Sequence, residues 1–174
     1  ALTPPPASDI AVNLVEADRP LTVASAFADG QAIPLAHVAD GDNASPPVRW
    51  EAPEGTRSLV VIMDDPDAAE PKPFVHWIAY DVPSSLEGLR EGQPTEPLLA
   101  EPPGMKQGTN SMGSTGYLGP KPPVGDPPHH YHLQVFALDV PSLALEPGAR
   151  REAVLAAMQG KVLAKGEIIG SFRR

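Results

Sequence analysis

The distribution of proline constrains the fold most strongly, because 23 prolines interrupt the 174-residue chain almost throughout its length. Proline breaks helix interiors and central strands, so regular structure must lie in the stretches between prolines. Apolar stretches rich in β-branched and aromatic residues predict strands. They cover residues 21–27, 58–63, 74–82, 132–140 and 161–172.

The remaining sequence predicts one helix and long irregular connections. The helix covers residues 148–160, where Val154, Leu155 and Met158 form an apolar stripe that ends at Gly160. Residues 83–128 are mostly Pro, Gly, Ser and acidic residues, which is typical of a long functional loop. We therefore expect a flexible Pro-rich tail over 1–10 and a single, mainly β domain over 11–174.

Composition and charge argue against several function classes. The chain has 13 Lys and Arg against 22 Asp and Glu, a formal net charge of −9, which disfavours broad binding to nucleic acid or anionic membrane. No run approaches the ~20 apolar residues of a membrane helix, so no membrane span is expected. The absence of cysteine excludes disulfides and thiol catalysis.

The start of the chain bears on location. Its first residues lack the basic and apolar regions of a signal peptide, so we expect a cytoplasmic protein. A signal cleaved upstream of Ala1 would leave no trace, because the chain does not begin with Met.

Two polar clusters border predicted strands, and they indicate an anion site. The sequence DDPD (64–67) follows one strand, HHYH (129–132) precedes another, and His76 lies inside the strand between them. A carboxylate beside imidazoles raises their pKa by stabilising the cation. Imidazolium, a tyrosine hydroxyl and loop N–H groups held by the prolines of GPKPPVGDPP would form a compact anion-binding pocket.

Each of these residues also has a purely structural interpretation, which the sequence leaves open. His76 would share a strand face with Ile78, Tyr80 and Val82 and would then be a hydrogen-bonded core histidine. The Asp-Pro-Asp segment would be a turn, and His129 and His130 would be solvated residues at a strand edge.

Other chemistries have weaker sequence support. No HExxH or paired-His spacing indicates zinc, and no GxxxxGK[ST] loop indicates nucleotide hydrolysis. The serine-hydrolase motif GxSxG is absent, although GTNSMGSTG offers Ser111 and Ser114. We therefore predict no cofactor, no metal and no catalytic residue.

Five segments in order resemble one protein family. They are AFADGQAIP (26–34), GDNASPPVRW (41–50), APEGTRSLVVIMDDPDA (52–68), HWIAYDVP (76–83) and GYLGPKPPVGDPPHHYHLQVFALD (116–139). Together they resemble the phosphatidylethanolamine-binding protein family, in its bacterial and archaeal Raf-kinase-inhibitor-like branch. The resemblance implies a large central β-sheet packed on a smaller sheet, with Greek-key connections, long Pro-rich loops and a C-terminal helix.

The resemblance also implies a function and a set of site residues. Members of this family bind phosphate-like or carboxylate anions, including phosphorylethanolamine, in a pocket at the strand ends. The implied ligand-binding residues are Asp65, Asp67, His76, Tyr117, Gly119, Lys121 through its backbone N–H, His129 and Tyr131. Asp65 would orient and charge the imidazoles, while His76, His129 and Tyr131 would hold anion oxygens.

The implied biology is a non-enzymatic binder of a small anion or phospholipid headgroup that inhibits a partner kinase or protease, with homodimers common in the branch. The alternatives are a hydrolase or phosphate-transfer enzyme using the Asp/His pocket, and a partner-binding protein with a vestigial pocket. Ala69 replaces a proline usual in the family, and a usual cysteine is missing. Because the given sequence ends at Arg174, we expect no extended C-terminal segment like that of the eukaryotic members. We also expect a cis proline in the Asp-Pro or Gly-Pro pocket segments.

Overall fold

The structure is a computed structural model that describes residues 9–69 and 73–174. Residues 1–8 of the predicted tail lie outside the described residues, while Ile10 is buried against the domain. The strands are β1 (Arg19–Pro20), β2 (Thr22–Ala24), β3 (Val48–Glu51), β4 (Ser58–Asp65), β5 (Phe74–Pro83), β6 (Gly88–Leu89), β7 (Lys106–Gln107), β8 (His129–Leu138) and β9 (Val162–Phe172). The helices are α1 (Ala11–Leu14) and α2 (Arg151–Met158), with a 3-10 turn at Leu35–His37.

The strands form two sheets. The large sheet has the order β1-β9-β8-β4-β5-β7, and the small sheet has the order β2-β3-β6. Strands β4 and β5 are consecutive neighbours, but the chain returns through β8 on the far side of β4, as expected of Greek-key connections. Neighbours in the large sheet are antiparallel except for the parallel pair β1 and β9. The predicted mainly β architecture of two sheets is confirmed.

The large sheet is buried on both faces, because each face packs on a different layer. One core lies towards the small sheet and includes Trp50 and Trp77. The other core lies under the helices and includes Ile62, Phe136 and Met158. All eight residues of β4 are buried, which explains why the five residues 59–63 form a continuous apolar run rather than an alternating pattern.

Three predictions about local structure need correction. The first strand covers only Thr22–Ala24 instead of 21–27. The HHYH sequence was predicted to precede its strand, but β8 begins at His129, so these residues pair in the sheet. The predicted cis proline in the pocket segments is wrong, since the cis peptide bond within the described residues joins Glu101 and Pro102.

Candidate functional site

The two predicted polar clusters meet because β4 and β8 are antiparallel neighbours. Asp64 pairs with His132 across the ladder, so the residues after Asp64 lie beside those before His132. Side chains alternate between faces, which brings Asp65, His129 and Tyr131 together on the face towards the small sheet. Asp64 and His132 take the opposite face, where each has a separate ionic partner.

His129 is held between two carboxylates. Its Nδ1 lies 2.8 Å from Oδ2 of Asp65, and its Nε2 lies 3.0 Å from Oδ2 of Asp126. Asp65 is buried, whereas the Asp126 side chain is 43% exposed. Burial lowers the pKa of His129, but the hydrogen bonds to Asp65 and Asp126 outweigh it, and the pKa is raised. The ring is therefore favoured as an imidazolium that donates from both nitrogens.

Asp65 titrates together with His129. Burial raises the pKa of Asp65, and the hydrogen bonds from His129 and from the backbone of Asp67 oppose this. Since the two side chains share a short hydrogen bond, proton loss belongs to the pair rather than to either residue. Asp65 holds the His129 imidazole in one orientation, whereas the predicted contact of Asp65 with the His76 imidazole is replaced by the bond from His76 to Leu118.

Asp67 has a structural role beside the site. Its backbone N–H donates to Oδ1 of Asp65 at 2.8 Å, and its Oδ2 accepts hydrogen bonds from the backbone N–H and Nδ1 of His130 at 2.7 and 2.8 Å. Asp67 therefore joins the turn after β4 to the start of β8. It does not line the cavity described below.

His76 reaches the same face through a β-bulge. The pairing of β5 with β4 shifts by one residue between Val75 and Trp77, so His76 is the extra residue. The His76 ring lies edge-on to Tyr131, with ring centroids 5.2 Å apart. The predicted common face with Ile78 is wrong, since Ile78 packs in the core under the helices.

The protonation of His76 also differs from the prediction. Its Nδ1 lies 2.6 Å from the carbonyl oxygen of Leu118, which can only accept a hydrogen bond, so Nδ1 carries the hydrogen. Burial lowers the pKa of His76 to about 4; the bond to Leu118 opposes this shift, and the charge of His129 adds to it. His76 is therefore neutral at pH 7, whereas the sequence predicted a cation.

Tyr131 lies between the two histidines. Its ring stacks on His129 at a centroid distance of 6.4 Å, and the residue is 1% exposed. Burial and the nearby Asp65 carboxylate raise the pKa of Tyr131, so its hydroxyl stays protonated and can donate. Within the described residues, every fully buried side-chain nitrogen or oxygen has a hydrogen bond. The Tyr131 hydroxyl has no partner among them, so its oxygen is not fully buried and is open to the cavity that Tyr131 lines.

The Pro-rich loop after β7 forms the opposite wall. The Gly119 N–H donates to Oδ1 of Asn43 at 2.7 Å, so it is not a free donor. A side chain at Gly119 would collide with the His37 carbonyl, because a Cβ would lie 2.5 Å from that oxygen. Among the described residues, none accepts a hydrogen bond from the backbone N–H of Lys121. That this N–H binds a ligand stays a prediction from the family resemblance.

The rim of the pocket carries paired charges. Asp40 lies 3.3 Å from Nζ of Lys121 and 3.1 Å from Nη1 of Arg174. Arg174 also donates from Nε to the carbonyl of Pro122 at 2.7 Å, which holds the loop against the C-terminal strand. Lys121 and Asp40 line the cavity, whereas Arg174 is not among its lining residues.

Tyr117 was predicted to bind ligand, but it does not line the cavity. Its hydroxyl donates to the His37 carbonyl at 2.6 Å, and its ring packs edge-on against Trp77. Tyr117 therefore supports the wall that carries the Gly119 loop.

These groups surround a cavity of about 580 Å³ at one end of the large sheet. Its floor is Asp65, His76, His129 and Tyr131, and its sides are largely apolar. The apolar residues are Ala39, Ala68, Ala69, Phe74, Met112, Leu118, Pro122 and Pro123. A larger depression of about 650 Å³ lies over the small sheet, but its lining contains no histidine.

Sequence reasoning missed two contributors. Asp126 contacts His129, but its loop position beside Pro127 gave only a turn signal. Asn43 anchors Gly119 through its side chain and has a backbone φ of 52°, a conformation that Asn tolerates better than most residues. The GDN motif around Asn43 was recognised, but its contact with a loop 76 residues away could not be read from it.

Comparison with known proteins identifies the family. A family model described as phosphatidylethanolamine-binding protein matches residues 23–173. The chain belongs to this family. A relative from Aquifex aeolicus, named UPF0098 protein, is 48% identical over 149 residues and covers 85% of each chain. The proposed lipoprotein LppC of Mycobacterium tuberculosis is 35% identical over 173 residues, 99% of this chain and 77% of its own.

Solved structures of family members have the same fold. Escherichia coli YbcL, described as a member of the mammalian family, superposes with a TM-score of 0.81 at 28% identity, covering 88% of this chain and 98% of its own. The homologue CT736 from Chlamydia trachomatis gives 0.79 at 32% identity, covering 90% and 99%. Within residues 9–69 and 73–174, no helix is long and apolar enough to cross a membrane.

Proposed function

We propose that this chain binds a small anion bearing a phosphate or carboxylate group, as a free metabolite or a phospholipid headgroup, in the cavity floored by His129, Tyr131 and His76. One observation carries this proposal: the outward nitrogen of His129 already holds a carboxylate oxygen, that of Asp126, at 3.0 Å. Because the buried Asp65 supports the cation from behind, Nε2–H is a charge-assisted donor aimed at an oxyanion.

The neighbouring groups complete a recognition site. The Tyr131 hydroxyl and the Lys121 N–H would offer two further donors, and the ammonium group of Lys121, which lies 3.3 Å from Asp40, adds a positive charge beside the cavity. A ligand oxygen that bonds to His129 must take the place of the Asp126 carboxylate. The apolar sides would accept the carbon portion of an ester or a carboxylic acid.

The surroundings favour binding over hydrolysis. No serine or threonine is among the described residues that line the cavity. The serine candidates have structural partners, because Ser111 accepts a hydrogen bond from the Val75 N–H and Ser114 bonds to Asn110. Within the part of the chain that the structure describes, no activated nucleophile therefore stands beside His129.

The test is calorimetric titration of inorganic phosphate at pH 6 into wild type, His129→Ala and His130→Ala. His130 is the matched control, because it neighbours His129 but its ring is exposed and bonds to Asp67 outside the cavity. We expect His129→Ala to weaken binding roughly tenfold or more, since a hydrogen bond to a charged group contributes ~1.5–3 kcal/mol. Unchanged affinity in His129→Ala would refute the assignment.

Three wider roles stay predictions, the first two from family resemblance and the third from the first residues of the chain. They are regulation of a partner kinase or protease, assembly as a homodimer, and a cytoplasmic location. The name of the mycobacterial relative describes a lipoprotein, so location in particular requires a direct measurement. Fractionation of the native organism's cells would decide it, and recovery in the membrane fraction would contradict the cytoplasmic prediction.

A further inference from the structure

The floor of the pocket contains a hydrogen-bond acceptor where an anion site would ordinarily present a donor. Nδ1 of His76 donates to the Leu118 carbonyl at 2.6 Å, so a neutral ring carries its lone pair at Nε2. No described residue bonds to Nε2, and no buried side-chain nitrogen among the described residues lacks a partner. Nε2 is therefore open to the cavity that His76 lines.

The surroundings of His76 keep it an acceptor. From β8 it meets the charged His129 and the edge of Tyr131, and from its own strand it meets the Phe74 ring at 4.7 Å. Two carboxylates line the same cavity: Asp65 accepts hydrogen bonds from His129 and the Asp67 backbone, and Asp40 pairs with Lys121 and Arg174. A second cation beside His129 is disfavoured, and none of these groups offers His76 a compensating anion.

We propose that the ligand must donate a hydrogen bond to Nε2 of His76. The site therefore selects a tetrahedral oxyanion that retains a hydroxyl, namely hydrogen phosphate or a phosphomonoester monoanion. The P–OH donates to Nε2 of His76, while the other oxygens accept from His129 and Tyr131. The inference rests on the proposed anion-binding function and narrows it.

The requirement for a proton excludes two otherwise similar classes of anion. Sulfate has the size and shape of phosphate but carries no proton at neutral pH. A phosphodiester, as in an intact phospholipid, likewise has no P–OH. Either anion would place an oxygen lone pair against Nε2 and leave a buried acceptor unpaired, which a site built for a hydroxyl rejects strongly. The site would thereby distinguish free phosphate and phosphomonoesters from the phosphodiester of an intact phospholipid.

The experiment uses two matched ligand pairs, titrated into the wild-type protein at pH 6 and constant ionic strength. The pairs are phosphate with sulfate, and methyl phosphate with dimethyl phosphate. At this pH a large share of a monoester retains its proton, because its second pKa is about 6. We expect phosphate and methyl phosphate to bind roughly tenfold or more tightly than their proton-free partners.

Two further measurements connect the selectivity to His76. ¹⁵N NMR of labelled histidine should show a bare Nε2 in the empty protein and a hydrogen-bonded Nε2 after phosphate is added. In His76→Gln the side-chain amide can turn to donate or accept, so the preference for phosphate over sulfate should fall towards one.

The outcomes separate this inference from the proposed function. Equal binding of phosphate and sulfate to wild type would overturn the inference and leave anion binding intact, and so would a protonated Nε2 in the empty protein. Binding of none of the four ligands would overturn the proposed function and the inference together.

Discussion

Asp126 is predicted to compete with the ligand for His129. Its carboxylate lies 3.0 Å from Nε2, the nitrogen that the proposed anion requires, and it follows Gly125, whose φ of 91° marks a sharp turn in the loop. The side chain is 43% exposed, so it can leave His129 for solvent. Replacing Asp126 by alanine should therefore strengthen anion binding.

The magnitude follows from the exposure of this pair. Exposed ion pairs contribute ~0.2–1 kcal/mol after screening. At the upper end, Asp126 would occupy His129 in about 85% of molecules, and apparent affinity is reduced by the fraction that is free. The Asp126→Ala variant should thus bind phosphate up to roughly sixfold more tightly than wild type.

Calorimetric titration of phosphate at pH 6 measures this change, since the buried Asp65 contact still supports the imidazolium after Asp126 is removed. Asp42→Ala is the charge-matched control, because Asp42 is exposed on a nearby loop and does not line the cavity. Weaker binding in Asp126→Ala would show that Asp126 serves mainly to keep His129 charged, and would refute the competition argument. If Asp42→Ala strengthened phosphate binding equally, the change in net charge alone would explain the effect.

The remaining predictions concern stability. Asp64 is fully buried and bonds to both Nε and Nη2 of Arg151, so Asp64→Ala should lower the free energy of unfolding by ~3–5 kcal/mol in urea titration, whereas Asp40→Ala at an exposed pair should change it by less than ~1 kcal/mol. An equal loss of stability in Asp64→Ala and Asp40→Ala would contradict the argument from the buried ion pair. The pKa of His76 is lowered to about 4 in the folded state, below the ordinary 6.5, so the unfolded chain binds the proton more readily. The contribution of the neutral His76 to the free energy of unfolding is fully present above about pH 6.5. It is lost as the pH falls towards 4, by up to roughly 3 kcal/mol. The His76→Gln variant should lose less stability over that pH range. If the free energy of unfolding fell in parallel with pH in both proteins, the result would count against a neutral His76 ring.

The main strands were predictable because their signal is local. The runs at 58–63, 74–82 and 161–172 match β4, β5 and β9 within a few residues, and the helix at 148–160 contains α2. Strand β3 was missed, although it has four residues. The short strands β1, β6 and β7 were missed as well. Each has only two residues, so it forms where a neighbouring strand supplies the hydrogen bonds, and no periodicity of its own reveals it.

The sequence predicted which residues meet at the site better than it predicted what each of them does there. The common face of His129 and Tyr131 follows from alternation along one strand, and Asp65 beside His129 follows from the pairing of β4 with β8. His76 was placed on the wrong face, because a bulge depends on the register between two strands and strict alternation cannot anticipate it. Asp126 was overlooked, since a loop carboxylate gives no signal of what it will contact.

The sequence alone thus determined the strands, the proline-stiffened loops and the set of polar side chains that could meet at one end of the sheet. Only the tertiary structure decided their protonation and hydrogen-bonding roles. The charge of an imidazole depends on its immediate neighbours, and here those neighbours come from distant segments: Asp65 is 64 residues from His129, and Leu118 is 42 residues from His76. Two histidines of one pocket therefore become a cationic donor and a neutral acceptor. Carboxylates raise the pKa of His129, whereas burial lowers the pKa of His76 and the Leu118 carbonyl fixes its hydrogen at Nδ1.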